Sequence, residues 1–154
     1  MASWHEIEEE AAEFAAKVKA RFQAGTNKTI ATLRRDGSPR ISGSEAVFED
    51  GELMFGMMAG SVKLLDVRRD PRIAMHSPTL EPPANAPQDW LGEAKLAGRA
   101  VEVEPPPDSP FPDSGQFRFD ITEAVLTYVG GDPPDHLVIE SWHAGRGHSR
   151  RIRR

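Results

Sequence analysis

From Lys28 to Met58 the apolar residues recur at every second position, and two Asp-Gly pairs, Asp36-Gly37 and Asp50-Gly51, cut the run into three. Asp-Gly supplies the positive φ angles that tight hairpin turns demand, so segments at about 28–34, 39–48 and 52–58 read as successive strands of an antiparallel meander. In the third, Leu53, Phe55 and Met57 alternate with Glu52, Met54 and Gly56, the pattern of a half-buried strand.

The remaining chain continues the theme. A strand at 72–77 runs into a loop at 78–89 with four prolines, which cannot join a central ladder. Trp90 to Glu104 reads as a long strand in which Gly98 marks a bulge or bend. Residues 105–116 hold five prolines and form a surface excursion, and Phe117–Val129 and His136–Trp142 supply the last strands. Ahead of the meander, Ser3 and Glu6 form a capping box. Trp4, Ile7, Ala11, Phe14, Val18 and Phe22 follow at spacings of three and four, which predicts one amphipathic helix within residues 1–24. The fold class is therefore mainly β (α+β): six or seven antiparallel strands in a closed or partly open barrel, an N-terminal helix, and a short helix after the third strand.

With 154 residues and 38% hydrophobic content, the whole of 1–154 reads as one domain. The first residues are polar and acidic and no apolar run reaches membrane-spanning length, so the expectation is a cytoplasmic protein that does not insert in a membrane. Zero cysteines exclude disulfides, thiolate metal sites and cysteine nucleophiles. The net charge is −5, yet Arg146–Arg154 carries five arginines and no acid, leaving −10 on the rest. That segment reads as an Arg-rich tail at 146–154; the acidic body argues against nucleic acid as a partner.

The chemistry concentrates where the third strand ends. Gly60-Ser61-Val62-Lys63 opens the short helix expected at 61–69: Ser61 stands at the cap, and Lys63 adds a full charge beside the free N–H groups of the first turn. A helix start so equipped suits a phosphate. The spacing matches neither the P-loop nor the dinucleotide fingerprint. The five histidines show no paired ligand spacing, so no metal is expected. Ser42 and Ser44 lack the glycine-flanked elbow that exposes a nucleophile and read as hydroxyls facing a cofactor or solvent.

Taken in order, Thr29-Ile30-Ala31-Thr32-Leu33, Asp36-Gly37-Ser38-Pro39-Arg40, Gly51-Glu52-Leu53-Met54-Phe55, Gly60-Ser61-Val62-Lys63 and Asp70-Pro71-Arg72 resemble the pyridoxamine 5'-phosphate oxidase-like flavin-binding split barrels. The resemblance spans about residues 26–146. It implies a homodimer that binds FMN, or in some branches a deazaflavin coenzyme, in clefts shared between subunits, and acts on a small-molecule substrate. By position it makes Ser61 and Lys63 the phosphate pair and sets the strand from Arg40 through Ser42 and Ser44 along the flavin ring. Gly56 and Met57 would lie under the cofactor, with Trp142 closing over it from the partner chain and Arg146 following in the next turn. Val62 stands where the family often has a second basic residue, which shifts the phosphate load to Lys63, Arg40 and backbone donors. The basic and histidine set of true pyridoxamine phosphate oxidases is not reproduced near the C-terminus, which argues against vitamin B6 oxidation. Because the flavin ring itself carries the redox step, no catalytic residue is assigned. The readings are thus an FMN-dependent oxidoreductase, a deazaflavin-dependent reductase on the same fold, and a non-catalytic flavin-binding protein.

Overall fold

The computed structural model describes residues 2–154. Two helices, α1 (Trp4–Glu10) and α2 (Ala12–Phe22), precede the strands β1 (Asn27–Leu33), β2 (Pro39–Glu49) and β3 (Glu52–Met57). Helix α3 (Val62–Arg69) leads into β4 (Arg72–His76). Strands β5 (Glu93–Val103), β6 (Gly115–Gly130), β7 (His136–His143) and β8 (Gly147–Arg153) complete the chain.

Six of the eight strands close on themselves in the order β3-β2-β1-β4-β5-β6, with β6 returning to β3. The split comes from the length of β6, which has 16 residues. Its start pairs with β3, as in Phe55 opposite Phe117, and its end pairs with β7, as in Leu126 opposite Glu140. The strand thus belongs to the barrel and to an extension formed with β7 and β8. All of these pairings are antiparallel.

The turns follow the sequence. Asp50 and Gly51 have φ of 51° and 77°, as a tight β2–β3 hairpin requires. Before β2, the Asp36 carboxylate accepts from the Ser38 amide and hydroxyl at 2.9 and 2.6 Å. At the entry to β4, two hydrogen bonds from the Arg72 side chain to Asp70 hold that carboxyl down at about 2.

Gly98 marks the corner of β5, where the register against β6 shifts between Ala97 and Gly98. A Cβ there would lie 2.0 Å from the Asp120 carbonyl oxygen. We expect Gly98→Ala to lower unfolding stability by about 1–3 kcal/mol, the usual penalty for overpacking. An unchanged denaturation midpoint would show that the backbone yields there freely.

The barrel interior is filled by Ile30, Leu53, Phe55, Leu96, Phe117 and Phe119, all 3% exposed or less. The Phe55 and Phe117 rings stack at 5.5 Å and Phe119 meets Phe55 edge-on. The N-terminal residues seal the barrel through the stripe seen in the sequence, with Trp4, Ile7, Phe14, Val18 and Phe22 buried. The capping box at Ser3 and Glu6 is formed. The single helix expected there is instead two, broken at Ala11 (φ −148°, ψ 66°). Nothing in the local sequence disfavours helix at an alanine, so the break is set by tertiary contacts. Ala2 bridges to Ile121 and the His5 amide donates to Gly51, which fix α1 independently of α2.

The Arg-rich segment is not a loose tail: Gly147–Arg153 pairs with β7 along its length as an exposed edge strand. A charged edge strand discourages pairing with another sheet. No helix among the described residues is long and apolar enough to cross a membrane.

Candidate functional site

Helix α3 leaves the barrel after β3 with its N-terminus open. Ser61 holds the extended conformation of a cap residue, but its side chain makes no capping bond. Its Oγ is buried without any hydrogen-bond partner. A hydroxyl sealed from water and unpaired costs about 1–3 kcal/mol, so such an orphan marks a place where a further acceptor or donor belongs. Beside it, the Lys63 ammonium donates to the Gly43 carbonyl of β2 at 2.6 Å. That bond ties the helix start to the outer face of the barrel.

A groove of about 1320 Å³ runs from this point across β2, β3 and the start of β6. Gly43, Met54, Gly56, Met58, Lys63 and Phe111 are among the residues that line it. Its floor includes bare backbone: a Cβ added at Gly43 would meet nothing within 4 Å. At Gly56 a Cβ would approach the Gln116 amide nitrogen at 3.2 Å. Glycine within a strand commonly marks close approach of a ligand, and here two such glycines lie on adjacent strands.

Of the residues assigned from the resemblance, Ser44, Gly56, Met57 and Lys63 line this groove, and Ser61 sits between its lining residues Ala59 and Lys63. Ser44 and Met57 do so at its base: both are buried, on the inward phase of their strands. Ser42 shares the inward phase of β2, opposite Ile30.

Arg40 lies apart from the groove lining because its Nε donates to Asp66 Oδ2 at 2.8 Å. Asp66, 2% exposed, also accepts from the Thr32 hydroxyl at 2.8 Å and from Arg69 at 3.1 Å. Burial by itself would push the Asp66 carboxyl up, but the bonds from Arg40, Thr32 and Arg69 outweigh it and hold the group below its ordinary value. Arg40 thereby fastens β2 to α3.

Trp142 does not reach the groove either. It is 1% exposed, and its Nε1 donates to Glu10 at 2.8 Å beneath α1. Arg146 is exposed in the β7–β8 turn. Neither contributes to a site within this chain.

The sequence reading passed over Gly43, Phe111 and Asp66. Gly43 had a signal, a glycine inside a strand. Phe111 lay in a proline-rich stretch read only as an excursion, and Asp66 looked like one more charge on a short helix. A second polar cluster also went unread: buried Glu140 accepts from the Tyr128 hydroxyl at 2.6 Å and meets His148 Nε2 at 2.9 Å. It ties β6, β7 and β8 together.

The six-stranded barrel, its β6 extension and the helix opening onto the groove define the split-barrel fold of the pyridoxamine 5'-phosphate oxidase-like proteins. Among solved structures, a pyridoxamine 5'-phosphate oxidase-related, FMN-binding protein from Nostoc punctiforme is 11% identical over 100% of this chain and 98% of its own, with a TM-score of 0.65. PhzG from Burkholderia lata, solved with tetrahydrophenazine-1-carboxylic acid, is 12% identical over 96% of this chain and 91% of its own, also at 0.65. An F420 reductase is 14% identical over 69% of this chain and 94% of its own, with a TM-score of 0.52. No protein-family model matches the chain, and no curated protein matches it in sequence.

Proposed function

We propose that this protein binds FMN at the α3 end of the groove and serves as a flavin-dependent oxidoreductase for a small molecule. The observation that carries the reading is the buried, unpartnered Ser61 Oγ at an uncapped helix start, next to Lys63. A phosphate there would accept from that hydroxyl, from the free N–H groups of the first turn and from the Lys63 ammonium. The bare backbone at Gly43 then accommodates a flat ring system along β2. Bound flavin supplies hydride and electron chemistry on its own ring, while the protein supplies position and exclusion of water.

Two chains would complete the cleft. Ile41 on the outer face of β2 is 74% exposed, and Val62 and Leu65 on α3 are 53% and 58% exposed. These apolar side chains flank the Lys63–Gly43 contact and suit a face shared with a second copy.

A deazaflavin coenzyme is the second reading. It is favoured by a groove larger than the ~300–1000 Å³ typical of small-molecule sites and by Val62, which leaves one cation at the phosphate end. An F420 reductase shares the fold.

Thermal-shift titration with FMN and with the deazaflavin coenzyme separates the two, since a ligand of the native state raises the melting temperature by mass action. We expect FMN to stabilise the protein and Lys63→Ala to weaken its binding at least tenfold with the fold intact. Equal affinity in the variant would remove Lys63 from the site, and no response to either compound would overturn the cofactor reading.

A further inference from the structure

The groove lining is mostly acidic: Glu45, Glu49, Glu104 and Asp113 belong to it together with Asp50 and Glu52, against the cations Lys63 and Arg118. None of the first four carboxylates forms an ion pair among the described residues. Of the two cations, Arg118 faces Glu52.

Phe111, 70% exposed, belongs to the same lining. A large aromatic ring left in water is costly, and the backbone that carries this one is held in place. The Phe111 amide donates to the Ser109 hydroxyl at 3.2 Å, and its carbonyl accepts from the Ser114 hydroxyl at 2.7 Å and the Ser114 amide at 3.1 Å. Gln116 on β6 donates in turn to the Ser114 hydroxyl at 3.2 Å, so the loop is anchored to the barrel wall beside Gly56. Prolines at 110 and 112 fix φ on both sides of the ring. An aromatic side chain carried on a fixed backbone binds a flat partner at a lower ordering cost than one on a mobile loop.

We propose that Phe111 is a specificity-determining residue of the groove and that it stacks on a planar aromatic cation, the substrate class selected by the acidic lining. A ring face attracts positive charge through its quadrupole, and nearby carboxylates add a Coulombic preference of the same sign. A carboxylate-bearing ring of equal size meets repulsion from Glu104 and Asp113. That the bound cation is a substrate rests on the cofactor reading above; its binding is independent of that reading.

The test uses two three-ring probes of opposite charge, proflavine and 9-anthracenecarboxylate, followed by fluorescence titration of the full-length protein at low salt. We expect saturable proflavine binding at least tenfold tighter than that of the anthracene anion. Phe111→Ala should lose at least tenfold in proflavine affinity, and Phe111→Trp should retain it. Paired Glu104→Gln and Asp113→Asn changes should shrink the preference for the cation and flatten its salt dependence. Equal affinity for the two probes, or proflavine binding that ignores Phe111→Ala, would overturn the proposal. FMN thermal shifts on the same proteins keep the two ideas apart. A lost dye preference with the FMN response intact defeats this inference alone; a dye preference that persists with no response to FMN or to the deazaflavin coenzyme supports it and defeats the cofactor reading.

Discussion

Asp66→Ala is expected to destabilise the protein by about 3–5 kcal/mol, because it removes the single acceptor around which two arginines and a threonine are arranged. Thr32 reaches it from β1, Arg40 from β2 and Arg69 from the same helix, which also donates to the Leu33 carbonyl at 2.8 Å. The carboxylate is 2% exposed while the guanidinium groups are half-buried, so the variant would strand partly desolvated cations with no counter-charge. The charge also makes a pH signature. The folded carboxyl titrates below its ordinary 3.8, so its contribution is fully present above that value and is lost as the pH falls through it and below. Urea denaturation at neutral pH and again near pH 3 checks both parts. The variant should lie well below the parent at neutral pH, and the gap should narrow in acid. A neutral-pH difference under about 1 kcal/mol would show that the cluster is no better than an exposed ion pair.

Most of the architecture was legible because the strands before the last announce themselves through period-two alternation and the first two hairpins through an Asp-Gly pair. Even the bulge at Gly98 was readable, as a glycine where a side chain would strike the neighbouring backbone. Closure of β3 onto β6 was not, since the register of Phe55 against Phe117 joins segments separated by some sixty residues and leaves no local trace. The break at Ala11 was hidden for the same reason. The last strand was missed because its arginines read as a solvated tail; its pairing depends on backbone hydrogen bonds, which any side chain permits.

The site divides along a similar line. Ser61 and Lys63 declared themselves by their spacing at a helix start, and of the two Lys63 lines the groove. Arg40 illustrates the limit of reading charges from sequence. A basic residue facing a presumed anion site looks like a ligand until a buried carboxylate, 26 positions away, is found holding its Nε.

Trp142→Ala is expected to cost about 3–5 kcal/mol, the range for emptying a large aromatic site in a well-packed interior. The side chain is 1% exposed, stands on β7 opposite Ala124 of β6 and His148 of β8, and joins the extension to α1 through its bond to Glu10. Trp142→Phe keeps most of the volume and gives up mainly that hydrogen bond, a loss of about 1.5–3 kcal/mol for a bond to a charged group. The milder variant also decides what the residue is for. A tryptophan that closes over a flavin must present its ring, whereas this one is enclosed within its own chain. FMN affinity of Trp142→Phe, measured by quenching of flavin fluorescence, should therefore equal that of the parent while the denaturation midpoint falls. A tenfold loss of affinity with an unshifted midpoint would mean that the ring leaves the core when two chains meet, and would return Trp142 to the cofactor site.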